Sequence, residues 1–220
     1  MPKKLITEWT IMEASRRGEK TLSVDAQTIV TAAAWDRARQ LGVRLEKKTR
    51  EAASQPTVSS KTSEGPAKGQ QTVAIGSDHG GFQLKEQLKP YLESLGYKAV
   101  DLGTYSEDAC DYPDFAYAVA RMVSLGDAAK GIMIDSVGSA SAIVANKLPG
   151  IRAVCCSNEF SARSSREHND ANVLTLGGKI HGVELAKSIV KVWLETSFAG
   201  GRHQNRVDKI SEIERRFLKQ

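Results

Sequence analysis

The sequence predicts an α/β protein built on a five-stranded parallel sheet with helices on both faces. The chain has 220 residues, of which 40% are hydrophobic, and this is enough to bury the core of one ordinary domain. From residue 72 onward, five short apolar segments alternate with helix-like segments, an order typical of parallel sheets. Polar, glycine-containing loops follow three of the apolar segments, at the strand ends where such sheets bind ligands.

The five predicted strands lie between residues 72 and 178, and each is followed by a predicted helix. In chain order the strands read TVAIGS, KAVDLG, KGIMID, IRAVCCS and VLTLGG. The helices read FQLKEQLKPYLESLG, DFAYAVARMVSLG, SAIVANKLPG, EFSARSSREHN and GVELAKSIVKVWLET. Gly96 ends the first helix, as glycine often does. Together, these strands and helices predict a three-layer, Rossmann-like domain at residues 72–220.

Residues 1–46 are predicted to form a small α+β extension in front of this domain. They contain a helix-like stretch (TEWTIMEASRRG), a short strand (KTLSV) and a second helical pattern (DAQTIVTAAAWDRARQLGV). Residues 47–71 hold one valine as their only large aliphatic side chain. Such a segment cannot bury enough surface to offset its ordering entropy, so we interpret it as a flexible linker. Residues 1–46 fit two interpretations, a flexible tail with nascent helices and a docking module, and both stay open.

Charge and composition argue against several classes of function. The net charge of +5 arises entirely in residues 1–71, with 13 basic and 8 acidic residues, whereas residues 72–220 hold 18 of each. Without a basic stripe interleaved with aromatic residues, nucleic-acid binding is not expected. No apolar run has the length of a membrane span and no signal peptide is recognisable, so we expect a cytoplasmic protein without membrane association. The cysteines and histidines lack the spacing of a metal site, and no cofactor is expected.

Polar residues collect in the loops that follow the predicted strands. GSDHGG, DSVGSAS and LGGKIHG follow the first, third and fifth strands, and such loops expose amide groups that suit phosphate or an enediolate. From the pattern alone, Asp135 fits either a helix cap or a catalytic group. His168 fits either a favourable helix-dipole contact or a substrate contact. Arg202 and Arg206 are four residues apart and fit either a solvated face or a phosphate fork.

These segments resemble a known family. From residue 73 to about 216 the chain is similar, nearly end to end, to the ribose-5-phosphate isomerase B and galactose-6-phosphate isomerase family. The motifs that carry the resemblance are GSDHGGFQLKE, DLGTYSED, DYPDFA, ANKLPGIRAVCCSNEFSARSSREHNDANVLTLGGKIHG and GGRHQNRV. The resemblance implies a metal-independent aldose–ketose isomerase that works through a cis-enediolate. It also implies a homodimer or a dimer of dimers with active sites shared between subunits.

The resemblance implies roles for individual residues as well. His168 matches the histidine that helps to open the sugar ring. The residues that match contacts to the sugar or its phosphate are Asp78, His79, Asn169, Lys179, Arg202 and Arg206. The two arginines are expected from the neighbouring subunit. The loop that matches the amide nest for the developing enediolate consists of Ser136, Val137, Gly138, Ser139 and Ala140.

The chain departs from the family at the catalytic base. Ribose-5-phosphate isomerases of this type usually carry Cys-Gly-Thr-Gly-x-Gly after the third strand, with the cysteine as base, or a glutamate six residues further along. Here Asp135 replaces the cysteine and Ser141 stands where the glutamate would be. We expect Asp135 to take the proton itself, which requires burial to raise its pKa above the ordinary value of about 3.9.

Two alternatives to a self-sufficient ribose-5-phosphate isomerase stay open. The segment GIMIDSVGSAS also resembles the A-type subunit of galactose-6-phosphate isomerase, which has aspartate at this position and works with a cysteine-bearing B-type subunit. The chain would then be one subunit of a heteromeric enzyme. The other alternative is a non-catalytic sugar-phosphate-binding protein. The sequence leaves tetrose, pentose and hexose phosphates open as substrates.

The extension has a resemblance of its own. Residues 5–46 are similar to a short segment that a linker attaches to several enzymes of bacterial microcompartments. The resemblance implies a partner in the shell or core of such a compartment, and a location inside it.

Overall fold

The computed structural model describes residues 5–6, 10–11, 14–15, 17–24, 28–30, 32–47 and 71–217. The chain divides into two compact units, Met1–Gly69 and Gln70–Gln220, and each is described by itself. Almost all of the predicted linker, residues 47–71, lies outside the described residues. No helix in the described ranges is both long and apolar enough to cross a membrane.

In the residues that the structure describes, the first unit contains two pairs of short parallel strands, helical residues at 10–11 and 14–15, and a longer helix. Strand β1 (Leu5–Ile6) pairs with β3 (Ile29–Val30), and β2 (Thr21–Val24) pairs with β4 (Arg44–Lys47). The helix α1 spans Ala32–Leu41. The predicted helix over residues 25–43 is therefore too long at its start, because two β-branched residues form strand β3 there. The small core of this unit consists of Ile6, Ile11, Val24, Ala34, Ala38 and Val43.

The second unit contains the predicted five-stranded sheet. Its strands are β5 (Thr72–Ser77), β6 (Lys98–Asp101), β7 (Lys130–Asp135), β8 (Ala153–Cys155) and β9 (Val173–Gly177). All neighbouring strands are parallel, in the order β6-β5-β7-β9-β8. The helices are α2 (Phe82–Ser94), α3 (Tyr112–Ser124), α4 (Ser139–Ala145), α5 (Glu159–Asn169), α6 (Val183–Glu195) and α7 (Arg202–Phe217). The predicted fold class is confirmed.

Helices cover the two faces of this sheet in different ways. On one face the large side chains of α2 and α6, including Leu88 and Trp193, are fully buried against the aliphatic residues of the strands. Burial of each such side chain contributes about 1.5–3 kcal/mol. On the other face α3 approaches closely because the strands present glycine. A Cβ atom at Gly76 or Gly131 would lie 2.8 or 2.7 Å from the Val119 side chain.

The loops after β5, β7 and β9 meet at the carboxyl edge of the sheet. The register places Ser77 beside Ile134 and Asp135 beside Gly177, so the residues that follow these strands are neighbours. Their backbones approach so closely that glycine is required. A Cβ atom at Gly81 would lie 2.3 Å from the Ile134 carbonyl oxygen, and one at Gly178 would lie 2.3 Å from the Gly80 carbonyl oxygen.

The end of α5 lies at the opposite, amino edge of the sheet. This helix follows β8 and runs back across the sheet, so it ends just before β9 begins. Arg152, which directly precedes β8, donates from Nε to the carbonyl oxygens of Asn169 and Asp170 at 2.9 and 3.0 Å. Asp170 also accepts from the side chains of Arg152 and Arg166, each at 2.8 Å. These bonds hold the end of α5 against the starts of two strands.

Candidate active site

One group of the predicted site residues lies together at the carboxyl edge of the sheet. Asp78 follows β5, and its amide donates to the Ile134 carbonyl oxygen at 3.1 Å. The Gly178 amide donates to the Asp135 carbonyl oxygen at 2.7 Å, and the Lys179 amide donates to that of Ser136 at 3.1 Å. We call this group the carboxyl-edge half-site. Its members are Asp78, His79, Asp135, Ser136, Val137, Gly138, Ser139, Ala140 and Lys179.

Asp135 is almost completely surrounded by hydrogen-bond donors. Its side chain is buried, with 4% of the residue exposed. Oδ1 accepts from the Val137 amide at 2.7 Å and from the Gly138 amide at a shorter distance. Oδ2 accepts from the Ser141 amide at 2.9 Å and from the Ser141 hydroxyl at 2.5 Å. Four donors therefore hold the carboxylate in its ionised form.

The predicted rise in the pKa of Asp135 is wrong. Burial by itself raises this pKa, but the hydrogen bonds from the Ser141 hydroxyl and from the amides of Gly138, Val137 and Ser141 outweigh it. The net result is a pKa below the ordinary value for aspartate. A carboxylate whose oxygens are both occupied and whose pKa is lowered is a poor acceptor for a proton from carbon. This geometry argues against Asp135 as the base.

The same hydrogen bonds change the interpretation of the loop as an anion nest. The amides of Val137 and Gly138 point at the Asp135 carboxylate, so they do not point at a position outside the loop. The positive φ of 94° at Gly138 is one that residues other than glycine rarely adopt, and it turns the chain into α4. Asp135 thus organises the loop by binding its amides.

Asp78 has a different environment from its neighbour. It is also buried, with 5% of the residue exposed, and its Oδ1 atom accepts from the Gly81 amide at 3.0 Å. Burial is the main reason why the pKa of Asp78 is raised, and the nearby Asp135 charge raises it further, against the lowering effects of the Gly81 amide and His79. Of the two buried aspartates, Asp78 therefore holds its proton more strongly.

His79 lies against the loop that leads into α3. Its Nδ1 atom is 3.3 Å from both the amide nitrogen and the carbonyl oxygen of Cys110, and 3.9 Å from the Cys110 sulfur. Burial raises the pKa of the Cys110 thiol, so this cysteine is a neutral neighbour of the histidine at physiological pH. The imidazole is otherwise exposed, and it can reach a ligand above the sheet.

The remaining predicted residues form a second group at the amino edge of the sheet. His168 and Asn169 end α5, and Arg202 begins α7. The Ala199 amide donates to the Glu167 carbonyl oxygen at 3.0 Å, and this bond holds the two segments together. We call this group the amino-edge half-site. Its members are His168, Asn169, Arg202, His203 and Arg206.

The imidazole rings of the amino-edge half-site are stacked. The ring centroids of His168 and His203 are 4.3 Å apart, with 13° between the planes. His168 Nδ1 lies 3.1 Å from the Ser164 hydroxyl, and His203 Nδ1 lies 3.5 Å from Arg206 Nη1. Burial and the electrostatic effect of His168, Arg202 and Arg206 lower the pKa of His203, against an opposing effect of Glu167.

One chain therefore holds two half-sites at opposite edges of its sheet. The loops that follow strands and the loop that follows α5 cannot lie at the same edge, because helix and strands run in opposite directions. A pocket that used Asp78 and His168 together would need the carboxyl edge of one chain and the amino edge of another. This arrangement agrees with the shared sites implied by the resemblance.

The contacts of three residues were not predicted from the sequence. Ser141 occupies the position of the family glutamate and the end of the predicted anion nest, but its hydrogen bonds to Asp135 were not expected. His203 was overlooked within GGRHQNR, although it lies between two arginines on one helical turn. Cys110 precedes α3 and gave no signal. Among the described residues, no group of histidine, cysteine and acidic side chains has the arrangement of a metal site.

Comparisons with known proteins identify the family of the second unit. Residues 73–210 match the family model described as Ribose/Galactose Isomerase. The chain is 47% identical over 144 residues to ribose-5-phosphate isomerase B of Escherichia coli K12. This alignment covers 66% of this chain and 97% of the relative. It is 38% identical over 147 residues to D-erythrulose-4-phosphate isomerase of Pectobacterium atrosepticum, with 65% and 95% covered.

A solved structure supports the same assignment. Ribose-5-phosphate isomerase B of Clostridium thermocellum is 48% identical and superposes with a TM-score of 0.66, covering 67% of this chain and 99% of that one. The matched part is the second unit, which holds both half-sites, and almost the whole length of each relative is matched. The chain belongs to the ribose/galactose isomerase family.

Proposed function

We propose that this protein interconverts ribose 5-phosphate and ribulose 5-phosphate through a cis-enediolate. Family membership makes it an aldose–ketose isomerase, and the relatives at 47% and 48% identity are both named ribose-5-phosphate isomerase B. The observation that carries the proposal is the amino-edge half-site, where His168 lies beside a cluster of basic side chains. The histidine suits ring opening of the sugar, and the cluster suits its phosphate.

The start of α7 has the features of a phosphate site. Arg202 and Arg206 are both exposed and lie one helical turn apart, with no acidic residue in the first turn. Two cations at a helix N-terminus are unfavourable for the helix itself, since the dipole there is positive. A dianionic phosphate removes this cost, because both guanidinium groups and the positive end of the helix dipole attract it.

We expect the purified chain alone to form ribulose 5-phosphate from ribose 5-phosphate. Arg202→Ala should raise KM at least about 10-fold, because it removes one charge-assisted contact to phosphate. Arg215→Ala, in the last turn of the same helix, is the matched control and should leave KM unchanged. The measurement is initial rate against substrate concentration, with EDTA present.

Other outcomes of this assay would support the alternatives. Turnover only of a four-carbon sugar phosphate would point to the substrate class named for the Pectobacterium relative. Tight binding without turnover would favour a heteromeric enzyme that needs a cysteine-bearing subunit, or a non-catalytic binding protein. Failure to bind any sugar phosphate would contradict the proposal in all its forms.

The active enzyme is proposed to be a homodimer, or a dimer of dimers, with each active site built from two chains. The two half-sites lie at opposite edges of one sheet, so neither chain can complete a site from its own residues. The helix α7, whose first turn carries the arginines, also exposes an apolar stripe. Ile210, Ile213 and Phe217 are 45%, 56% and 72% exposed, and their spacing puts them on one face, where a second copy could cover them.

Mixing two inactive variants tests whether sites are shared. Asp78→Ala damages the carboxyl-edge half-site and His168→Ala damages the amino-edge half-site. After subunit exchange of an equal mixture, half of the dimers should be mixed and each should hold one intact site, so about a quarter of wild-type activity should return. His168→Ala mixed with Arg202→Ala is the control, since both lesions lie in one half-site and no intact site can form. Equal recovery in both mixtures would contradict shared sites.

Asp135 is proposed to hold the catalytic loop in place. Asp135→Asn should lower the free energy of unfolding by about 1–3 kcal/mol at pH 7, because the amide group cannot accept all four hydrogen bonds. Since the pKa of Asp135 is lowered by folding, its stabilisation is present above the unfolded value of about 3.9 and is lost as pH falls through the folded value. The difference between wild type and variant should therefore shrink below about pH 4.

The measurement is urea unfolding at pH 7 and at about pH 3.5. Glu93→Gln, at an exposed carboxylate on α2, is the control and should change the free energy of unfolding by less than about 0.5 kcal/mol. A pH-independent difference for Asp135→Asn would show that its carboxylate charge does not stabilise the loop.

The first unit is proposed to bind a microcompartment component rather than substrate. The relatives match only the second unit, and the first unit has a groove lined in part by Trp35, Arg39, Arg44 and Leu45. Trp35 is 43% exposed, and an exposed tryptophan beside arginines is typical of interaction surfaces.

Removing residues 1–69 should leave kcat and KM within about twofold of the full chain, because the relatives work without this segment. The same deletion should abolish co-sedimentation with microcompartments isolated from the host. Trp35→Ala in the full chain should weaken that co-sedimentation without changing kcat. A large loss of kcat in a folded deletion variant would contradict a separate role for the first unit.

A further inference from the structure

The carboxyl edge of the sheet still needs a group that can accept a proton from carbon. Asp135 is occupied by four hydrogen bonds, and Ser141 donates to it. The two cysteines near this edge are poor candidates, because burial raises the pKa of both Cys110 and Cys155 and keeps their thiols protonated. The carboxylate of Asp78 is the remaining buried acid of the half-site.

We propose that Asp78 is the general base that removes the C2 proton of the aldose. This proposal rests on the proposed isomerase function and replaces the role expected for Asp135. It assigns to Asp78 the chemical step itself, beyond the substrate contact implied by the resemblance.

The position of Asp78 suits this role. It is the first residue after β5, which lies next to the central strand β7, and its amide is held by the Ile134 carbonyl oxygen at 3.1 Å. The side chain is thus fixed on a rigid strand end. Oδ1 accepts from the Gly81 amide at 3.0 Å, and no side chain in the described residues donates to the carboxylate. Asp135 next to it has four donors, so Asp78 is the freer acceptor.

The surroundings of Asp78 also suit a base. The charged and titratable groups that face it are His79 from its own loop, Asp135 from β7, and Cys110 from the loop before α3. Burial and the Asp135 charge raise the pKa of Asp78, whereas His79 and the amides of Gly81 and Gly80 lower it, and the balance is a rise. A carboxylate whose pKa is raised is a stronger base and is better matched to proton abstraction. Asp135, held ionised by its own hydrogen bonds, therefore contributes negative charge instead of taking the proton.

The proposed step conserves protons and electrons. The C2–H bond of the open-chain aldose breaks, and its proton goes to the Asp78 carboxylate. The electron pair forms the C1=C2 double bond while the carbonyl pair moves to O1, which becomes the enediolate oxygen. Asp78 then returns the proton to C1, and the proton of the O2 hydroxyl moves to O1. The products are a C2 ketone, a C1 hydroxymethyl group and Asp78 in its original ionised form.

The test compares Asp78→Asn with Asp135→Asn in the full-length chain. Asp78→Asn should lower kcat at least about 100-fold, the usual scale of general base catalysis. Its affinity for ribulose 5-phosphate, measured by calorimetry, should change by less than about threefold. In heavy water it should also lose the exchange of solvent deuterium into the sugar. Asp135→Asn should keep that exchange at a reduced rate.

The pH dependence of kcat supplies a readout that a structural role would not change. Wild type and Asp135→Asn should both show an acid limb, and in Asp135→Asn this limb should move to lower pH, because the Asp135 charge that raises the pKa of Asp78 is gone. Loss of the limb in Asp135→Asn, or its movement to higher pH, would contradict Asp78 as the base and overturn the proposal. A kcat of Asp78→Asn within tenfold of wild type, or a loss confined to KM, would also overturn it, since Asp78 would then only bind substrate.

The activity of wild type distinguishes a failure of the proposed function from a failure of the proposed base. If wild type does not convert ribose 5-phosphate, the substrate assignment fails and the comparison is made with the sugar phosphate that wild type does convert. The assignment of the base is decided only by the difference between the variants and wild type on that substrate. Circular dichroism of Asp78→Asn verifies that the variant is folded, and Asp78→Glu, which retains a carboxylate, should recover part of the exchange.

Discussion

The opposite directions of strands and helices in the parallel sheet determine where every functional residue of this protein lies. Each residue that follows a strand lies at the carboxyl edge, and each residue that follows the returning helix α5 lies at the amino edge. Asp78 and Asp135 are therefore neighbours although 57 positions separate them, whereas Asp135 and His168 are kept apart. A chain with this topology holds its two half-sites far apart, and for this reason the proposed function includes the association of two copies.

In the loop at the carboxyl edge, a carboxylate instead of a thiol at position 135 changes both the hydrogen bonds of the loop and the pKa of a neighbouring residue. A thiol at position 135 would make weak hydrogen bonds to the loop amides, because sulfur is a weak acceptor. A carboxylate at the same position attracts those amides and the Ser141 hydroxyl strongly, and this attraction lowers its pKa. The charge that organises the loop cannot also be a strong base. Burial and the same charge raise the pKa of Asp78, so the pKa values of these two neighbouring aspartates are shifted in opposite directions.

Much of the second unit could be predicted because its strands are apolar and its helices end at clear signals. The five strands, their parallel direction and the loops that hold Asp78, His79 and Lys179 follow from that pattern, whereas the order of the strands in the sheet was not predicted. The predicted start of helix α1 was wrong, because Ile29 and Val30 form strand β3, which pairs with a strand distant in sequence. The predicted direction of the pKa shift of Asp135 was also wrong, because the prediction considered burial alone and not the hydrogen bonds from the loop and from Ser141, six residues further along.

The sequence by itself determined the class of the fold, the family and the identity of the residues at the two edges of the sheet, because these depend on local patterns and on motifs that can be read in order. Only the tertiary structure decided which carboxylate is saturated with hydrogen bonds, that His203 stacks on His168, and that the two half-sites of one chain cannot meet. These properties depend on distances between segments that are remote in sequence. Small differences in such distances decide whether an amide binds its own loop or a substrate.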